Sequence, residues 1–147
     1  MTNEEKIELR REVCARMLYG LKALATKSNQ VVSILRGGYY DNEIYYFIPN
    51  IPSVAFEIDD FKIYLRPMSS MTEEEKEELK YICTMCNVDQ GSTYESFGIE
   101  IFHISRYGTD FETDYTVIDW LLAHHFDFRG LIDKGLALPA PDGMYND

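Results

Sequence analysis

Hydrophobic residues switch between helical and strand spacing along this chain, and the switches mark out the elements it predicts. Ile7, Cys14, Met17, Leu18, Leu21, Leu24 and Ala25 recur at helical intervals, which predicts one long helix from about Asn3 to about Thr26. Thr2 and Glu5 have the spacing of a capping box at its start, and Lys27-Ser28-Asn29 reads as its stop. Arg10 and Arg11 interrupt the apolar stripe, so the first turns are expected to extend past the core. From Val31 to Arg66 the period shortens. Val31–Arg36, Glu43–Ile48, Ser53–Ile58 and Phe61–Leu65 are short, rich in Val, Ile, Phe and Tyr, and bounded by turn residues. They predict an antiparallel meander, with Asp59-Asp60 as a two-residue hairpin.

Helical spacing then returns. Thr72 and Glu75 form a second capping box, and Leu79, Ile82, Cys83 and Cys86 follow at i, i+3, i+4 and i+7. Glu73, Glu74, Glu75, Glu77 and Glu78 crowd the first turns, where the positive end of the helix dipole favours them. Phe97–Arg106 predicts a fifth strand, and an acidic loop, Asp110–Asp114, leads to the last elements. There, Thr116 with Asp119 has the spacing of a cap for one short helix and Asp127 is placed to cap another. Phe126 and Leu131 are spaced as a hydrophobic staple, and Gly135 ends the second helix. The fold expected is α+β: an antiparallel sheet of four to five strands, a long N-terminal helix, one middle helix and a C-terminal pair of short helices.

Bulk properties narrow the class. The 147 residues carry no internal repeat and no dividing linker, so a single globular domain, 1–147, is expected. No apolar run reaches the roughly 18 residues of a membrane helix, and the start is not signal-like, so a soluble cytoplasmic protein without membrane contact is expected. Cys14, Cys83 and Cys86 are too few and odd in number for a disulfide framework, which fits a reducing compartment. The net charge is −11, and it is uneven. Residues 1–36 hold seven bases and four acids, +3, against seven bases and 21 acids, −14, in the rest. An acidic body repels phosphates, so nucleic acid is not expected as a partner.

Candidate chemistry is sparse. Cys83-Thr84-Met85-Cys86 has dithiol spacing, but it falls late in its helix, where the dipole opposes a thiolate, and on the apolar stripe. Buried, metal-free packing is expected. His124-His125 are adjacent, so they point about 100° apart on a helix, unlike ligand histidines at i and i+4. His125 continues the stripe of Ile118, Leu121 and Leu122 and should face inward, whereas His124 lies on the Val117 and Trp120 side. With Asp127 near it, His124 can serve as a base or ligand, although no nucleophile stands beside it. Arg129 can grip a carboxylate or phosphate, or tie the corner to Asp119 or Asp127. Tyr39, Tyr40 and Tyr46, with Tyr45 and Phe47, are dense for one hairpin and form a candidate binding surface. Phosphate-binding glycine loops, nucleophile elbows and zinc-helix motifs are missing, and no cofactor or metal is expected.

Two segments also resemble known text. Leu65-Arg66-Pro67-Met68-Ser69-Ser70-Met71-Thr72-Glu73-Glu74-Glu75, and Asp119 through Leu138 with its His124-His125-Phe126-Asp127-Phe128-Arg129-Gly130 core, resemble small acidic proteins of Bacteroides-type gut bacteria and of their phages and prophages. They cover about a fifth of the chain. No activity is attached to that family, so the resemblance implies a setting in mobile elements and no catalytic residues. The reading is a non-catalytic protein-interaction or regulatory module, with His124, Asp127, Arg129, Tyr39, Tyr40 and Tyr46 as binding candidates. The alternatives are a small hydrolytic or metal-dependent enzyme at the His124/Asp127 corner, and an acidic decoy of DNA using Glu73–Glu78 and Asp110–Asp114.

Overall fold

A computed structural model describes residues 1–40, 43–47, 55–85 and 111–146 and shows an α+β fold. The chain packs as two compact units, Met1–Leu65 with Leu131–Asp147, and Arg66–Gly130.

In the first unit, helix α1 spans Asn3–Arg16. Its start is as expected: the Thr2 hydroxyl accepts from the Glu5 amide at 3.2 Å, and the Glu5 carboxylate accepts from the Thr2 amide at 2.6 Å. Its length and face are not. The helix passes into a 3-10 turn, Met17–Tyr19, and stops at Gly20, whose φ of 75° is left-handed backbone that glycine adopts without a side-chain clash. Residues placed in its last turns instead form strand β1, Lys22–Ala25, where Leu21, Ala23 and Ala25 are buried alternately with half-exposed Lys22 and Leu24. The buried face of α1 is Leu9, Glu12, Val13 and Arg16, while Ile7, Cys14 and Leu18 are exposed. A charged pair on the inward face concealed the true stripe. Arg16 donates from Nε and Nη2 to one oxygen of Glu12, at 2.9 and 2.8 Å, with both side chains fully buried.

Strand β2 is Gln30–Ser33, β3 Arg36–Tyr40, β4 Glu43–Phe47, β5 Ala55–Phe56, β6 Phe61–Leu65 and β7 Ala137–Pro139. The single meander resolves into two sheets. One is mixed and four-stranded, ordered β2-β1-β6-β7, with β6 and β7 parallel and the other pairs antiparallel. The other is antiparallel, ordered β3-β4-β5. Asp59-Asp60 is therefore not a hairpin loop. It belongs to a 3-10 turn, Ile58–Asp60, that carries the chain from β5 to the other sheet. The β1–β2 connection uses Asn29, left-handed at φ 53°, with its amide bonded to the Ala25 carbonyl at 2.8 Å. Leu9 and Val13 of α1 share a buried cluster with Ala23, Phe61, Ile63, Leu65, Leu131 and Leu136.

The second unit holds α2, Glu73–Met85, and α3, Phe111–Ala123, which contact one another. Thr72 caps α2 as expected, its hydroxyl accepting from the Glu75 amide at 3.2 Å. Met71, Leu79, Val117, Trp120, Leu121, Phe126 and Phe128 form its core. Helix α3 starts before Thr116, which is an exposed mid-helix residue rather than a cap. Asp110, the predicted strand Phe97–Arg106 and Cys86 lie outside the described residues.

The second short helix is not formed: residues 128–135 are successive turns. Its stop signal nonetheless operates, since Gly135 is left-handed at φ 74° and the Leu136 amide closes onto the Leu131 carbonyl at 2.9 Å. Phe126 lies in the core of the second unit and Leu131 in that of the first. No described helix is long and apolar enough to cross a membrane.

Candidate functional site

The candidate corner is built where α3 ends. His125 takes left-handed backbone, φ 60°, and redirects the chain away from the helix axis. The turn is fixed from outside by Arg66, directly after β6. The Arg66 amide donates to the His125 carbonyl, and the Asp127 amide donates to the Arg66 carbonyl, both at 2.8 Å. Arg66 and Phe126 thus pair as an isolated parallel bridge. The Asp127 amide is committed to that bridge. That non-local bond is invisible to any rule about caps.

Above this bridge the side chains stack. The His124 ring lies on Trp120 with centroids 4.0 Å apart and planes 27° apart, and Trp120 lies 5.8 Å from Phe126 at 16°. The Arg66 guanidinium covers the Phe126 ring at 4.2 Å, a favourable cation–π arrangement. The same guanidinium donates to Glu75 Oε1 at 2.9 Å, and the Thr72 hydroxyl donates to that oxygen at 3.1 Å. Burial pushes the Glu75 carboxyl up. The bond and charge of Arg66, the Thr72 hydroxyl and the nearby His124 outweigh it and hold the group below its ordinary value.

The histidine's tautomer follows from its partner. His124 Nδ1 is 2.8 Å from the Trp120 carbonyl oxygen, which can only accept, so Nδ1 carries the proton. One ring nitrogen and one ring face are therefore occupied by structure. His125 is buried, as its place on the stripe implies, and Asp127 is buried as well. Arg129 is half-buried with its guanidinium 5.1 Å from the Phe128 ring. His124, Asp127 and Arg129 thus sit on one short segment, but His124 and Asp127 serve different contacts. Among the described residues no group of three or more His, Cys, Asp or Glu side chains is arranged to hold a metal.

The tyrosines lie elsewhere, in the first unit. Tyr39 and Tyr40 are in β3, opposite Ile44 and Glu43, and Tyr46 is in β4, opposite Gly37 and Phe56. Cys83 is in α2. Leu79 is fully buried and Ile82 half-buried, so the described part of that stripe faces inward as expected.

Sequence reasoning missed the partners of the corner, Arg66 and Glu75. The Thr72 cap on the Glu75 amide was legible, but nothing local reveals that the Glu75 carboxylate receives an arginine nine positions earlier. On the solvent face of α2 it named the glutamates but missed Tyr81. Glu73, Glu74, Glu77 and Glu78 are exposed there, followed by Tyr81 at 64% exposure. Lys76 bonds Glu73 at 2.8 Å and Lys80 approaches Glu77 at 4.0 Å, whereas Glu74 and Glu78 point into solvent.

No protein-family model, curated protein or solved structure matches the chain.

Proposed function

We propose that this chain is a non-catalytic interaction module of a phage or prophage element, working in the cytoplasm, and that a protein partner with a basic surface docks on the outward face of α2. The observation that carries the reading is Tyr81, a large aromatic 64% exposed beside a run of exposed carboxylates. Tyrosine is among the residues that most often anchor protein interfaces, and surrounding charge steers and orients a partner of opposite sign. The corner at the end of α3 is the rigid support of this unit. One His124 ring nitrogen, one His124 ring face and the Arg66 guanidinium are spent on intramolecular contacts.

Affinity capture of the tagged chain from its native host tests this, with Tyr81→Ala and Glu74→Lys variants run alongside. A stoichiometric protein held by the parent and lost from both variants is the expected result. Retention by both would move the partner off α2. A captured DNA-binding protein that duplex DNA displaces would make the acidic face a stand-in for phosphates. A hydrolytic or metal-dependent activity abolished by His124→Ala in a folded variant would replace the reading with a small enzyme working at His124 and Asp127.

A further inference from the structure

The ladder between β1 and β6 stops one rung short. Its last pair is Ala23 with Ile63, and the next rung belongs to Lys22 and Tyr64. Between those two stands the hydroxyl of Tyr145. It accepts from the Lys22 amide at 3.0 Å and donates to the Tyr64 carbonyl at 2.8 Å. A hydroxyl both donates and accepts, so it fills a gap that no apolar or purely acidic group could fill.

Three more bonds hold the segment that brings Tyr145 there. The Ala140 amide donates to the Leu65 carbonyl at 2.7 Å, continuing the line of β7 along β6. The Lys22 ammonium donates to the Met144 carbonyl at 2.8 Å. Between these anchors the chain closes a turn, with the Met144 amide on the Pro141 carbonyl at 3.1 Å. Among the described residues the buried apolar core ends at Ala137, and Pro141, Asp142, Gly143 and Asn146 are exposed.

We propose that residues 140–146 form a latch that opens and recloses on the end of the β1–β6 ladder as one unit, with the Tyr145 hydroxyl as its catch. Ala140, Met144 and Tyr145 are half-buried and the residues around them exposed, and a segment held mainly by hydrogen bonds at such an edge opens at lower free energy than the fully buried strands it rests on. The gap makes that opening inexpensive, because water offers the Lys22 amide and the Tyr64 carbonyl the same donor and acceptor that the hydroxyl does. The turn makes it concerted. Ala140 and Met144-Tyr145 flank Pro141–Met144, so the turn transmits release at one anchor to the other.

Native-state hydrogen exchange of the full chain reads this directly at two amides, Lys22 and Ala140. The control is the Ile34 amide, bonded to the Leu21 carbonyl at 2.8 Å in a fully buried residue. Lys22 and Ala140 are expected to exchange with one common protection factor, about tenfold or more below that of Ile34. Tyr145→Phe should accelerate both together, about fivefold or more, and leave Ile34 unchanged. Lys22→Met, which removes the ammonium bond to Met144 and keeps the backbone amide, should do the same and serves if the tyrosine variant does not fold. Exchange of Lys22 and Ala140 only with Ile34, or acceleration of Lys22 alone in either variant, would overturn the latch.

Discussion

Removing one member of the Glu12–Arg16 pair should strongly destabilise the fold, while removing both should not. The pair is fully buried, and Arg16 directs two donors at one Glu12 oxygen. Either single variant takes this partner from a charge that stays fully buried. Breaking a buried pair on one side costs about 3–5 kcal/mol, against a total stability of about 5–15 kcal/mol for a typical domain. Arg16→Met and Glu12→Gln should therefore each shift the urea midpoint by a large fraction of its value. Replacing both by uncharged residues of similar volume removes attraction and desolvation together, and is commonly neutral or stabilising. The double variant, Glu12→Gln with Arg16→Met, is thus expected within about 1–2 kcal/mol of the parent, far from the sum of the singles. Urea unfolding monitored by circular dichroism gives all four free energies. A loss below about 1 kcal/mol in Arg16→Met, or a double variant as unstable as the two singles added, would refute the argument.

Two further outcomes follow from the same geometry. Burial pushes the Tyr145 hydroxyl up to about 12, although the Lys22 amide and the Arg16 charge favour its ionised form. The folded state then holds its proton more tightly than the unfolded chain, whose tyrosines titrate near 10. The stabilisation is complete below about pH 10 and is lost as the pH rises through about 12, so Tyr145→Phe should flatten the alkaline limb of the melting-temperature profile. His124→Ala removes a ring stacked on Trp120 and a hydrogen bond to its carbonyl. A cost of about 1–2 kcal/mol in chemical unfolding is expected, with a change in native fluorescence from the chain's one tryptophan.

What was legible in the sequence was local. Phe61–Leu65 alternates strictly, with Phe61, Ile63 and Leu65 buried, and it forms a strand over the residues expected. Thr2 and Thr72 begin their helices because each finds its glutamate three residues on. The failures have two causes. Leu21-Lys22-Ala23-Leu24-Ala25 fits either period, and the left-handed Gly20 decides for strand. The inward face of α1 carries Glu12 and Arg16, which a hydrophobic count places outside. The other cause is distance along the chain. Neither the division of strands between two sheets nor the capture of the Asp127 amide by Arg66 is written within any window of neighbouring residues. The same holds for the site: His124 was legible as facing Trp120, but the arginine and glutamate that complete its surroundings were not.

The bridge between Arg66 and Phe126 has a consequence for how the chain is assembled. It joins the two ends of the segment Arg66–Gly130, so the chain departs from β6 and returns toward β7 through one gate held by two hydrogen bonds. To its host sheet, that entire guest behaves as a short connection whose ends are already together, and the entropy of closing a long loop falls on the guest's own folding. Parallel neighbours such as β6 and β7 always require a crossover, and here a self-closing insert supplies it.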